Sequence, residues 1–207
     1  MEGCNSSSSS CASYALIAAM LSLLIFTVHV KSSSATQINN TEFIKTRCEV
    51  TMYPRVCFDS LSVYANTIQT SPQQLANASL SVSLASAQST WTMMSRLLKG
   101  RGMKPREVGA VRDCIDNIGE SIDELKKSIE EMGYLNDPDF QFHMENIQTW
   151  VSAALTDENT CMDGFAGNGM NGNVKSTITS RVVNVVQLTS NGLALTNSLT
   201  STQPISR

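Results

Sequence analysis

The chain has 207 residues, a formal charge of -3 and a pI near 5.4. That length buries one core of ordinary single-domain size once any targeting segment is set aside. Lys and Arg are scattered along the sequence and form no basic stripe, so nucleic acid is not an expected partner.

The N-terminus opens with an apolar run from Tyr14 to Val30, interrupted by Ser22, Thr27 and His29, and followed by the small-residue tract Lys31 to Ala35. This reads as a signal peptide over residues 1–35, cleaved after Ala35 to give a mature chain that starts near Thr36. The leader is long and carries Glu2 but no Lys or Arg ahead of the run, so an uncleaved membrane anchor is the competing reading. Cys4 and Cys11 leave with the leader. Cys48, Cys57, Cys114 and Cys161 remain, and four cysteines in a secreted chain imply two disulfides. None of the four sits in a Cys-x-x-Cys pair, and His143 is the single histidine after the leader, so neither a metal nor a cofactor is expected.

Residues 36–204 form the expected domain. Its first part, 40–68, places Cys48 and Cys57 on either side of Tyr53-Pro54. Proline biases its predecessor away from helix, which predicts a hairpin of two short helices hinged there and stapled by a Cys48–Cys57 bridge. Residues 71–200 then divide into four long segments. Ser71-Pro72 opens the first, which ends at Gly100; Lys104-Pro105 opens the second, which ends at Gly133. Asp137-Pro138 opens the third, which runs to Gly164, and the fourth follows the glycine-rich stretch 164–173 and ends near Leu199. Few aromatics, no period-2 runs and long stretches rich in Ala, Leu, Ser, Gln, Glu and Lys favour helix throughout. The expected architecture is all-α, an up-down-up-down four-helix bundle preceded by the hairpin.

The second segment carries the strongest stripe: Val108, Val111, Ile115, Ile118, Ile122, Leu125, Ile129 and Met132 recur at steps of three and four. Met144, Ile147, Val151, Ala154, Cys161 and Phe165 keep the same rhythm in the third, broken only by Glu158. Ile178, Val182, Val185, Leu188, Leu195 and Leu199 mark one side of the fourth. In the first, Leu75, Ala78, Val82, Ala85 and Trp91 form a weaker stripe among small residues that permit close approach. Met93, Met94 and Met103 read as core or helix-end filler. Four cysteines allow three connectivities. With the second and third helices antiparallel about a turn near Leu135, Cys114 and Cys161 lie at nearly the same height, which favours a bond between them.

Chemistry-bearing features are sparse. Asp113, Asp116, Glu120 and Asp123 step by three and four well off the apolar stripe, as a solvated helix face would, and nothing separates their acidities as acid–base catalysis requires. His143 has no nucleophile in an elbow motif to activate. The run GFAGNGMNGN (164–173) follows no strand and precedes no Gly-Lys-Ser/Thr, so it reads as a linker. Asn39-Asn40-Thr41 and Asn77-Ala78-Ser79 are glycan acceptor sequons if the chain is secreted.

Three blocks then carry a resemblance: TRCEVTMYPRVCFDSLSVYA (46–65), AVRDCIDNIGESIDEL (110–125) and WVSAALTDENTCMDGF (150–165). Together they closely resemble the plant invertase and pectin methylesterase inhibitor family over residues 40 to 200. The resemblance implies a non-enzymatic, secreted cell-wall (apoplastic) protein with this bundle, hairpin and pair of disulfides. It implies an inhibitor that covers the active-site cleft of pectin methylesterase in a 1:1 complex, the alternative target being a cell-wall or vacuolar invertase. Thr51, Tyr53, Pro54 and Cys57 in the hairpin and Ala153 to Thr156 are similar to inhibitors of the pectin enzyme, and the Pro-Lys-Phe tripeptide common in invertase inhibitors is absent. Aligned on Cys114 and Cys161, the resemblance places Asp116, Glu120, Asp123, Asp157 and Thr160 on the target-binding face. Ile118 stands where many relatives have tyrosine.

Overall fold

The computed structural model describes residues 37–100, 102–166 and 172–200, and one compact unit begins at Asn40. The expected signal peptide and its alternative, the anchor, lie outside the described residues, as does the middle of the glycine-rich link, residues 167–171. Among the described residues no helix is long and apolar enough to cross a membrane.

The architecture is all-α, as the composition and periodicity imply. Helix α1 (residues 37–48) turns into α2 (Pro54–Leu61), which continues through a 3-10 turn (Ser62–Tyr64) into α3 (Ala65–Ile68). The bundle follows as α4 (Pro72–Lys99), α5 (Pro105–Glu131), α6 (Phe140–Asp163) and α7 (Asn173–Thr200). Each bundle helix packs on its sequence neighbour and α7 closes back on α4, which is the up-down-up-down ring. Proline stands in the first turn of α2, α4 and α5, where its missing N–H costs no helical bond. Ser71 Oγ accepts from the Gln74 N–H at 3.3 Å, and the Lys104 N–H donates to Glu107 Oε2 at 2.8 Å.

Three details differ from the sequence reading. Pro54 begins α2 instead of forming a hinge within the turn, and the hairpin's second arm is three short pieces. α6 starts at Phe140, because a 3-10 turn (Met132–Tyr134) and the buried Leu135 use up the residues around Asp137-Pro138. The third is the buried face of α4, which comprises Leu75, Ala76, Ser79, Leu80, Ser83, Ala87, Thr90 and Met94. Of the expected stripe, Ala78 and Val82 are only half-buried, while Ala85 and Trp91 are exposed. This side packs closely on α7: the Leu80 side chain lies over Gly192, where an added Cβ would meet Leu80 Cδ2 at 2.9 Å.

The stripes of the other three helices supply the core, with Ile118, Leu125, Met144, Ile147 and Ile178 among its largest fully buried side chains. Glu158, the break in the third stripe, is also fully buried. Its Oε1 accepts from Ser121 Oγ at 2.8 Å and from Thr189 Oγ1 at 2.7 Å, and the Thr189 hydroxyl also hydrogen-bonds that of Ser83. One residue from each bundle helix thus meets in a single polar knot. Burial pushes the Glu158 carboxyl up to about 7, against the pull of the Thr189 and Ser121 hydrogen bonds, and its Oε2 has no partner among the described residues.

Two disulfides join Cys48 to Cys57 and Cys114 to Cys161, with Cα separations of 5.6 and 4.3 Å. The hairpin packs on α4 and α7. The buried carboxamide of Asn191 in α7 holds it there: Oδ1 accepts from the Tyr53 N–H and Nδ2 donates to the Tyr53 carbonyl, both at 3.0 Å. The face formed by α5 and α6 is therefore on the side of the ring away from the hairpin's seat.

Candidate target-docking surface

The disulfide fixes α5 against α6, and the apolar stripe of α5 turns the alternate side of that helix outward. Asp113, Asp116, Glu120 and Asp123 are all exposed there. They are not equivalent. Asp123 Oδ1 accepts from Lys126 Nζ at 2.9 Å, and this hydrogen bond and charge hold its carboxyl below the usual range. Among the described residues Asp116 and Glu120 take part in no ion pair, so their charge is open to a partner.

On α6, Thr160 is exposed and Asp157 half-buried. The outer side of the helix is a row of polar groups whose hydroxyl protons are already used, Thr156 Oγ1 donating to the Ser152 carbonyl at 2.9 Å and Thr160 Oγ1 to the Thr156 carbonyl at 2.9 Å, while Asn159 Nδ2 gives one of its two N–H groups to the Leu155 carbonyl at 2.7 Å. Each hydroxyl keeps its lone pairs facing outward. Together with the carboxylates of α5 this makes an acceptor-rich face, which suits a partner that presents N–H and cationic donors.

The structure brings Asp157 together with Glu124, a residue the sequence reading passed over. Burial in the α5–α6 seam pushes the Glu124 carboxyl up to about 7, and the charge and hydrogen bond of Asp157 add to it, as does Glu120, with Lys127 opposing. Glu124 Oε2 is shielded from solvent. Burial beside the Asp157 charge therefore favours the neutral acid at Glu124. Glu124 stands four residues after Glu120, on the flank of the same acidic row, but nothing in a one-dimensional pattern shows which residue of α6 it will meet.

The remaining polar features serve the fold. His143 Nδ1 lies 2.8 Å from Glu131 Oε1, which also accepts from Asn146 Nδ2 at 2.8 Å, and the imidazole stacks on Tyr134. This cluster ties the end of α5 to the start of α6. Of the sequon residues, Asn39 is exposed, whereas Asn77 is half-buried with its carboxamide oxygen shielded. Among the described residues no cluster of three or more His, Cys, Asp or Glu side chains is placed to hold a metal ion.

Residues 42–195 match the profile of the family described as plant invertase/pectin methylesterase inhibitor. The chain belongs to that family. This member is 48% identical to the 21 kDa protein of Daucus carota over 182 residues, which cover 85% of this chain and 93% of that one. It is 45% identical to pectinesterase inhibitor 11 of Arabidopsis thaliana over 190 residues, covering 89% and 94% of the two chains. Its fold is similar to the crystal structure of a pectin methylesterase inhibitor from Arabidopsis thaliana, with a TM-score of 0.54 and 25% identity over 75% of this chain and 95% of that one. A mutant form of a pectin methylesterase inhibitor from Arabidopsis superposes with a TM-score of 0.61 at 23% identity, over 74% and 95%.

Proposed function

We propose that this chain is a secreted inhibitor of pectin methylesterase that lays its α5/α6 face over the enzyme's cleft in a 1:1 complex in the cell wall. The observation that carries the inhibitory function is near-full-length identity to a protein named as a pectinesterase inhibitor, 45% over 89% of the chain. The protein itself performs no chemistry. Inhibition is occlusion: Asp116, Glu120, Asp157 and Thr160 meet donor groups on the rim of the cleft, with Asp123 at the edge of the contact. Long helices and the Cys114–Cys161 bond order that face before binding, so little conformational freedom remains to be lost. An invertase target is not favoured, and the Pro-Lys-Phe tripeptide is absent from the sequence.

Secretion after removal of residues 1–35, and glycosylation at Asn39 in preference to Asn77, belong to the same reading. Asn39 is exposed, whereas Asn77 is half-buried on α4. Titrating the purified protein into a plant pectin methylesterase and, separately, into an acid invertase tests the function. The expected result is loss of pectin methylesterase activity near equimolar ratio with invertase untouched; invertase inhibition without effect on the pectin enzyme would reverse the assignment.

A further inference from the structure

The cations that look scattered in sequence are partly gathered by the fold. A groove of about 960 Å³ opens beside the C-terminal turns of α4, between that helix and the first turns of α7, and Arg96 and Arg181 line it from the two helices. Both guanidinium groups are exposed, and among the described residues neither is in an ion pair. Among the described residues no acidic side chain lines the groove. Lys99 ends α4, and Lys104 and Arg106 stand where the chain re-enters α5, all three exposed at the same end of the bundle. The nearest carboxylate in that re-entry, Glu107, is already engaged by the Lys104 N–H.

We propose that this groove binds a short polyuronate, a saccharide chain bearing free carboxylates. The inference rests on the proposed inhibitor function, because hydrolysis of the methyl esters of pectin leaves such carboxylates on the polymer. The planar fork of an arginine matches a carboxylate in bidentate fashion, and two of them facing one groove suit a ligand with repeated carboxylates. Saccharide hydroxyls need neutral polar partners beside the charges. Gln88 and Ser89 supply an amide and a hydroxyl, and Thr92, whose proton goes to the Gln88 carbonyl at 2.8 Å, supplies lone pairs. Met93 and Val174 give the apolar patches on which the C–H face of a sugar ring rests. Among the described residues no aromatic side chain lines the groove to serve as the stacking platform that single-stranded nucleic acid uses. The volume lies toward the upper end of the range of ligand pockets, about 300 to 1,000 Å³. The site lies on the α4/α7 side, so the inhibitor could hold product polymer there while α5 and α6 cover the enzyme.

Isothermal titration of the full secreted chain at low ionic strength, with a purified fully de-esterified oligogalacturonate, tests this directly. The comparison ligands are the fully methyl-esterified oligomer of the same length and polyglutamate. The expected result is binding of the de-esterified oligomer in preference to both, weakened at least about tenfold in the double variant Arg96→Ala with Arg181→Ala. Arg55→Ala, an exposed cation on α2, should bind like wild type, and circular dichroism should show all variants equally helical. Absence of binding by wild type, equal binding by the double variant, or polyglutamate binding as tightly as the uronate would each overturn the proposal. The titration contains no enzyme, so its failure removes the groove alone, whereas a failed inhibition assay removes the functional reading that names the ligand.

Discussion

The α5/α6 pair and the α4/α7 pair solve the same packing problem with different materials. α5 and α6 bury regular stripes of Ile, Leu, Val and Met, are joined by Cys114–Cys161, and leave an acidic, hydroxyl-rich face open. α4 and α7 approach closely through Ser79, Ser83, Thr189 and Gly192, and their flank is where the hairpin seats through Asn191. The first pair reaches rigidity by large side chains and a covalent bond and keeps a surface free. The second adds small residues and hydrogen bonds to its buried Leu, Ile, Val and Met and uses part of its surface to carry the hairpin. Rigidity and exposure coincide on the pair proposed to dock, which is what an occluding inhibitor requires.

The largest expected effect in stability follows from removing the covalent part of that contrast. Replacing Cys114 and Cys161 together by serine opens a loop spanning 47 residues, and the chain-entropy argument puts the loss at about 4 kcal/mol. Thermal unfolding should show a much lower midpoint for this variant than for wild type. A midpoint near the wild-type value would mean that the stripes alone hold α5 on α6, and the contrast between the pairs would lose its covalent half.

A smaller effect comes from the polar knot. Glu158 is held up to about 7 in the folded state, mainly by burial, and returns to an ordinary carboxyl when the chain unfolds. The folded state therefore binds the proton more tightly. The stability this gives is fully present below the unfolded value near 4.5 and is lost as pH rises through about 7, to the extent of order 3 kcal/mol. Glu124 adds a slope of the same sign. Glu158→Gln keeps an acceptor for Ser121 and Thr189 without an ionisable group, so its unfolding midpoint should lose part of the fall between pH 5 and 7.5 that wild type shows. An unchanged slope would show that the knot does not titrate in that range.

Much of the fold is legible in the sequence because helical stripes are local patterns. Val111 to Met132, Met144 to Phe165 and Ile178 to Leu199 announce their buried sides by spacing alone, and Ser71, Pro72 and Pro105 mark the helix starts. α4 is where this fails. Its buried side is the one that packs on α7, where Leu80 lies over Gly192, and that depends on the partner helix; Ser79, Ser83 and Thr90 go inside while Trp91 stays 41% exposed. Glu158 left a signal, a charge at a core position, but its partners Ser121 and Thr189 come from two other helices. The acidic face was readable as a surface. That Lys126 already engages Asp123, and that Glu124 joins Asp157, depends on side-chain reach in three dimensions.

The most direct measurement of the account is the inhibition of pectin methylesterase by single variants of the open face. Asp116→Ala and Glu120→Ala remove carboxylates that form no ion pair among the described residues, and both point away from the core. Each should raise the inhibitor concentration required by at least about tenfold, while helicity and unfolding midpoint stay at wild-type values. Glu130→Ala, exposed on α5 outside that patch, should inhibit as wild type does. If all three variants inhibit equally well, the α5/α6 face is an ordinary solvated surface and the enzyme is covered by some other side of the bundle.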